Sequence, residues 1–195
     1  MNLREQQKRA TTQNILHAAQ KLFMTRGFLN VTTRAIAEAA HVQQPLIYHY
    51  FGTKEQLYLA VVGQVSQEMA ALITQATSGP GSFAVKLERL GTQLTANNPM
   101  DLQLVLHDVF QFAPAAQQTV FQAWERGFLI PLDAFFAAYR QQIQPAYATR
   151  DVTLYFLNIL SAFLQTPAIE RPADRLSLTT ALTMFRTGVE AGGEN

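Results

Sequence analysis

The segment from Gln43 to Phe51 carries several side chains that form hydrogen bonds and contains no acidic residue. Ile47 and Phe51 are four positions apart, so on a helix they share one face and can anchor it in a core. Tyr48 and His49 then point towards solvent or a partner. Exposed Gln, Tyr and His side chains can hydrogen-bond to bases and phosphates, so the segment is predicted to contact nucleic acid.

Two neighbouring segments add groups that bind anions. Thr33 and Arg34 open the preceding helix, where backbone N–H groups without partners can hold a phosphate. Lys54 lies in the first turn of the next helix, where the helix dipole disfavours a cation unless a phosphate is bound nearby. Simpler readings stay open, because Tyr48 could pack half-buried, His49 could face solvent without a contact, and Lys54 could be ordinary surface.

The elements that position these residues are all predicted helices, because no run alternates polar and apolar residues as a strand does. The first helix is predicted to be capped by Thr11 or Thr12 and ended by Gly27. Thr53 and Gln56 match a capping box. The predicted helices cover residues 9–26, 34–40, 44–51, 54–77, 83–97, 101–112, 115–143, 151–164 and 173–189, and Pro131 should kink or split the seventh.

This all-α chain of about nine helices divides into three predicted parts. Residues 1–53 form a three-helix domain that ends in a helix-turn-helix, residues 54–77 a connecting helix, and residues 78–195 a helical body. The break between the last two is the segment 78–82, Ser-Gly-Pro-Gly-Ser.

Composition and charge exclude several classes of protein. A chain that is 48% hydrophobic and 15% charged is not a disordered tail. There is no cysteine, no helical His-x-x-x-His or Glu-x-x-His pair and no Gly-rich phosphate loop, so an enzyme, a metal site and a cofactor are not expected. Residues 1–60 hold seven basic and three acidic residues, which favours a polyanionic partner for that third alone. No membrane span and no signal peptide are predicted, and a cytoplasmic location is expected.

The first quarter of the chain resembles the DNA-binding domain of the TetR/AcrR family of transcriptional regulators. The residues that carry the resemblance are Ile15-Leu16, Ala18-Ala19, Leu22-Phe23, Gly27, Thr32-Thr33, Ile36-Ala37, Ala40, Val42, Ile47 to Phe51 and Lys54 to Leu57. Two positions depart from the family pattern, because His41 stands where the family often has Gly and Gln43 stands where it often has Ser.

The resemblance implies a role for each residue of the predicted interface. Thr33 and Arg34 would open the helix that crosses the DNA backbone, with Arg34 able to reach a base. The start of the recognition helix would face bases, with Tyr48 and His49 on bases or phosphates and Lys54 on a phosphate. The predicted DNA-binding residues are Thr33, Arg34, Gln43, Gln44, Pro45, Tyr48, His49 and Lys54.

The body is rich in large aromatic residues, and the resemblance implies that it binds a small effector. An aromatic-lined helical cavity suits an apolar or planar compound, although these rings could equally be ordinary core. The predicted pocket residues are Phe83, His107, Phe110, Trp124, Phe128, Tyr139 and Phe163.

Two apolar helices near the end of the chain predict a homodimer. Their apolar faces are broad enough to need cover on more than one side, as in the two-fold four-helix interface that the family uses. The predicted interface residues are Phe156, Leu160, Leu178, Leu182 and Phe185. A two-fold dimer would read a pseudo-palindromic duplex operator.

These features favour a ligand-responsive dimeric transcriptional regulator, which in this family is most often a repressor released by its effector. The alternative is a helical DNA-binding or architectural protein without an effector.

Overall fold

The structure, a computed structural model, describes residues 2–96, 105, 108–164 and 176–191. The helices in these ranges are α1 (Leu3–Arg26), α2 (Thr33–Ala39), α3 (Gln44–Phe51), α4 (Lys54–Thr77), α5 (Phe83–Ala96), α6 (Pro114–Trp124), α7 (Ile130–Ala138), α8 (Thr149–Leu164) and α9 (Leu178–Val189). The same ranges contain no strand, and one isolated bridge joins Ile143 to Glu190. The prediction of an all-α chain of about nine helices is confirmed.

Local capping sets most of the helix ends around the predicted helix-turn-helix. Thr32 caps α2, where its hydroxyl accepts the N–H of Ala35 at 3.1 Å. Thr53 and Gln56 form the predicted capping box of α4. The N–H of Gln56 donates to Thr53 Oγ1 at 3.0 Å, and the N–H of Thr53 donates to Gln56 Oε1 at 3.1 Å. Gly52 ends α3 at a φ of 76°, a backbone region that glycine enters without steric cost.

The start of α1 differs from the prediction. Asn2 caps the helix, since its side chain accepts a backbone N–H at 3.0 Å and its own N–H donates to Glu5 Oε2 at 3.1 Å. Thr11 and Thr12 lie inside α1, with their hydroxyls bonded to carbonyls four residues earlier. The prediction of a start at Arg9 was wrong because the first turns of α1 have no apolar periodicity to reveal them.

Pro131 splits the long predicted helix of residues 115–143, as expected. Residues Glu125–Leu129 form a π-helical turn between α6 and α7, in which the N–H of Ile130 reaches back five residues to the carbonyl of Glu125. Proline has no N–H to continue an α-helical ladder, and a π turn absorbs the missing bond.

Helix α4 is long and apolar enough to cross a membrane by length and composition alone. The core helix of a soluble protein meets the same criterion. The side chains of Leu57, Val61, Val65 and Ile73 are at most 1% exposed, so this face of α4 is packed inside the protein.

The chain divides into two compact units. Unit 1 comprises residues 1–66 and 99–123, and unit 2 comprises residues 67–98 and 124–195. In unit 1, α1 packs on α2 and α2 packs on α3. Its fully buried side chains include Ile15, Ala19, Phe23, Ile36, Ile47, Leu57 and Tyr58. The division predicted at residues 53 and 77 stays a prediction.

Unit 2 packs α5, α7, α8 and α9 around a cluster of phenylalanine rings. Phe136 lies at its centre, with ring centroids of Phe83, Phe156 and Phe185 between 5.6 and 6.2 Å away. Helices α5 and α9 approach closely at Gly91, where an added Cβ would lie 2.6 Å from Leu182.

The predicted dimer-interface residues need a correction. Phe156, Leu160 and Phe185 are fully buried and Leu182 is 4% exposed, all within their own chain. These four side chains fill the core of unit 2 and have no surface to offer a second copy. Leu178, at the start of α9, is half-buried. Among the described side chains of α8 and α9, the large apolar ones that are exposed are Leu154, Tyr155 and Met184.

Candidate nucleic-acid interface

Helices α2 and α3 are joined by a turn that holds His41 at a φ of 55°. The N–H of His41 bonds to the carbonyl of Glu38 at 3.2 Å, and the N–H of Val42 bonds to the carbonyl of Ala37 at 3.0 Å. These two bonds form a Schellman motif, which places its left-handed residue at the position of His41. A non-glycine residue in this conformation costs about 1–2 kcal/mol. His41 adopts it nevertheless, so the turn keeps its geometry without the glycine that the family often has at this position.

The hydroxyl of Thr33 links the start of α2 to two sites on α3. It lies 3.0 Å from the phenolic oxygen of Tyr48 and accepts the side-chain amide of Gln44 at 2.8 Å. Thr33 itself is only 7% exposed, whereas the Tyr48 side chain is 49% exposed. The network therefore fixes two exposed α3 side chains from a buried hydroxyl, and Thr33 acts here as their support.

The remaining predicted residues of the helix-turn-helix are exposed. Gln43 precedes α3 and makes no capping hydrogen bond, and Pro45 lies in the first turn. His49 is exposed, with its ring edge-on to Tyr50. Arg34 pairs with Glu38 at 3.0 Å on the surface of α2. An exposed pair of this kind stabilises a helix by about 0.3–0.5 kcal/mol, so Arg34 can leave it readily.

Lys54 is less free than its sequence position suggests. Its ammonium lies 4.1 Å from the centroid of the Phe28 ring, and the side chain is half-buried. Partial burial lowers the pKa of Lys54 below its ordinary value, and the negative charge of Asp108 opposes this shift. The assignment of Lys54 to a DNA phosphate stays a prediction.

Asp108 is a buried carboxylate whose structural role the sequence did not reveal. It is 3% exposed, and its Oδ2 accepts the backbone N–H of Phe28 at 2.6 Å and lies 3.5 Å from the hydroxyl of Tyr58. The rings of Phe28, Tyr58 and Phe112 contact one another beside it. Burial and the nearby carboxylate raise the pKa of Tyr58 well above its ordinary value.

This contact ties the connector between α1 and α2 to a residue 80 positions later. The sequence did not predict this contact, because local spacing gives no sign of a partner so far along the chain. A hydrogen bond to a charged acceptor is one of the stronger hydrogen bonds in proteins.

The predicted effector residues lie in several places. Phe83 and Tyr139 belong to the ring cluster of unit 2, with centroids 5.1 Å apart, and Trp124 stacks on Phe128 at 4.3 Å. Phe110 is 72% exposed and belongs to unit 1. Phe163 is half-buried on α8, and His107 lies outside the described residues.

A groove of about 340 Å³ is formed by other residues of unit 2. It is lined by Tyr147, Asp151, Val152, Tyr155, Gly188 and Val189, none of which was predicted for the effector. Within the described ranges, no group of three or more His, Cys, Asp or Glu side chains could hold a metal ion.

Comparison with known proteins agrees with this geometry. Residues 15–61 match the family model of the bacterial regulatory proteins of the tetR family. A relative, the HTH-type transcriptional repressor NicS of Pseudomonas putida, is 38% identical over 63 residues, which are 32% of this chain and 30% of that protein. The match thus spans under a third of that repressor's length.

Solved structures match the fold over most of the chain. A transcriptional regulator FadR from Bacillus subtilis in complex with stearoyl-CoA has a TM-score of 0.69 and 16% identity, covering 91% of this chain and 98% of its own. AibR in complex with isovaleryl coenzyme A and operator DNA has a TM-score of 0.66 and 16% identity, covering 92% and 97%. At these identities the likeness is one of fold.

Proposed function

We propose that this chain is a member of the TetR family of bacterial regulatory proteins, whose family model matches residues 15–61, and that it regulates transcription in the cytoplasm by binding duplex DNA through α2 and α3. Its action would be repression of the genes beside its operator. The relative NicS, which is named as a transcriptional repressor, supports this assignment over the matched N-terminal segment.

One observation carries the proposal, namely that a buried hydroxyl holds an acid-free, exposed helix face in place. Because Thr33 fixes Gln44 and Tyr48, these side chains reach a groove without losing much rotamer entropy on binding. Helix α3 is narrow enough for the major groove, which is about 12 Å wide. In this assignment Gln43, Gln44 and His49 meet base edges, while Tyr48 and Arg34 contact bases or the backbone.

The functional unit would be a homodimer built on α8 and α9. Leu154, Tyr155 and Met184 are 43%, 51% and 61% exposed, and they replace the buried residues first assigned to the interface. Two copies related by a two-fold axis would place two α3 helices in successive major grooves, about 34–36 Å apart. The operator would then be a pseudo-palindrome.

The effector would be a small molecule bound in the helical body, with an acyl thioester of coenzyme A as the first class to test. The support is that two proteins of the same fold were crystallised with stearoyl-CoA and with isovaleryl coenzyme A. Release of DNA on adding such a compound is expected. DNA binding that no compound changes would favour the alternative of an effector-independent DNA-binding protein.

The DNA-binding proposal is tested by selecting duplexes from a random-sequence library with the full chain and measuring affinity by fluorescence anisotropy. Tyr48→Ala is expected to weaken binding about 5- to 150-fold, since a good base contact contributes about 1–3 kcal/mol. Tyr48→Phe keeps the ring but removes the bond to Thr33. Its affinity for DNA should fall between that of the unchanged chain and that of Tyr48→Ala.

Tyr147→Ala is the matched control, because Tyr147 is a similarly exposed tyrosine in unit 2, at 41%. Its affinity for the selected duplex should equal that of the unchanged chain. Failure to enrich any duplex at low salt, or full affinity in a folded Tyr48→Ala variant, would contradict the proposal.

A further inference from the structure

The first three turns of α1 extend beyond the core of unit 1. Residues 2–10 are all exposed, and the first buried side chain of the helix is Ile15. Eleven residues of α-helix separate Arg4 from Ile15, a distance of about 16 Å at 1.5 Å per residue. This part of α1 is therefore not explained by packing in its own unit.

The exposed segment is polar on every side. Apart from Leu3, residues 3–14 are charged residues, Gln, Asn and Thr, with Ala10 as the one small apolar residue. A helix that docks on a protein or lies in a membrane surface needs an apolar face, which this segment lacks. Hydrogen bonding and charge are the interactions left to it.

Its charge is positive and not neutralised within the described chain. Arg4, Lys8 and Arg9 form no ion pair with any described residue. The one acid of the segment, Glu5, accepts the N–H of Asn2 in the capping box. Lys8, Arg9, Thr12 and Gln13, with Glu5, line an open depression of about 770 Å³ on the helix surface.

We propose that Arg4, Lys8 and Arg9 form a second, sequence-independent DNA contact that binds backbone phosphates flanking those near α3. This inference rests on the proposed function. Arg4 and Lys8 are one turn apart on the same face, so they can meet one strand together, and Arg9 lies on the adjacent face. These three residues lie about 9–16 Å along the helix from Ile15, the first buried residue of α1, which lets the protein hold DNA beyond the groove that α3 enters.

The experiment measures the salt dependence of DNA affinity for the triple variant Arg4→Gln/Lys8→Gln/Arg9→Gln. Glutamine keeps helix propensity and hydrogen bonding but removes charge. Removing one phosphate contact makes the slope of log K against log salt shallower by about 0.9, so the triple variant should reduce the slope by about 2–3. Affinity for the selected duplex and for a scrambled duplex should fall by the same factor, because the contact reads no sequence.

Two further variants keep this test decisive. The variant Lys21→Gln/Arg26→Gln/Lys86→Gln removes equal charge from exposed or half-buried positions elsewhere and should leave the slope near its original value. Arg4→Lys/Arg9→Lys keeps the charge and should retain the slope. Binding by the unchanged chain with an equal slope in the triple variant would overturn this inference alone. If the unchanged chain binds no duplex, the proposed function fails with it.

Discussion

In unit 1, the carboxylate of Asp108 accepts the backbone N–H of Phe28, and the hydroxyl of Thr33 joins α2 to α3. In unit 2, the centre is a set of phenylalanine rings, and a bonded group such as Asp133, which pairs with Arg150 at 2.8 Å, is only partly buried. Unit 2 also has a buried polar group, since Thr153 is fully buried and its hydroxyl donates to Asp133 Oδ1 at 2.6 Å. The hydrogen bonds of unit 1 hold the connector and α3 in place, whereas the centre of unit 2 consists of packed rings.

The two kinds of core suit different surfaces. A hydrogen bond fixes direction as well as distance, so unit 1 can hold the polar side chains of α3 in one arrangement. Ring packing constrains volume more than direction, and unit 2 presents apolar side chains such as Met184 outward.

The largest expected effect comes from removing the buried acid of unit 1. Asp108→Ala should lower the free energy of unfolding by about 2–3 kcal/mol, because the N–H of Phe28 is left without a partner. Urea denaturation followed by circular dichroism measures the loss. Hydrogen exchange should increase most in the connector at residues 27–31.

Asp108→Asn is the matched variant for this prediction. Its amide oxygen can still accept the N–H of Phe28, so less than half of the loss is expected. Equal losses in the two variants would show that the charge matters more than the bond. An unchanged free energy of unfolding in Asp108→Ala would remove the contrast between the two cores.

A smaller effect is expected where unit 2 depends on close packing. Gly91→Ala should lower the free energy of unfolding by about 1–2 kcal/mol, since the new methyl group would lie 2.6 Å from Leu182. The better helix propensity of Ala offsets part of that cost. Hydrogen exchange should increase in α5.

Gly63→Ala in α4 serves as the control, because an added Cβ there meets nothing within 4 Å. It should stabilise the chain by up to about 1 kcal/mol. If Gly91→Ala were stabilising by the same amount, the close approach of α5 to α9 would be ruled out as a constraint.

The smallest effect on folding is expected at the exposed face of α9. Met184→Glu should change the free energy of unfolding of the single subunit by less than about 0.5 kcal/mol, because the side chain is 61% exposed. The same substitution should yield monomers in sedimentation velocity, because it places a charge in the proposed interface.

Val85→Glu is the control for an exposed apolar residue outside this face, at 53% exposure on α5, and should leave the assembly unchanged. A Met184→Glu variant that sediments like the unchanged dimer would remove α9 from the interface. An unchanged chain that sediments as a monomer would refute the dimer itself.

The sequence by itself determined the helices around the predicted interface and how they end. Thr32, the box of Thr53 and Gln56, and Gly52 all act on backbone groups within four residues, so their effect is legible in the local sequence. The same reasoning located α3 as an acid-free helix and anticipated the split at Pro131. It missed the start of α1, where polar turns carry no periodic signal.

Only the tertiary structure decided which apolar residues are core and which polar groups meet. The periodicity of the sequence predicts that Phe156 and Phe185 lie on the apolar faces of α8 and α9. The packing of α5 and α7 against these helices determined that the two side chains point into the core. Asp108 meets Phe28, and Lys54 lies over the ring of Phe28, through distances set by the whole fold. Local rules act over one helical turn, whereas these contacts depend on where every other helix has packed.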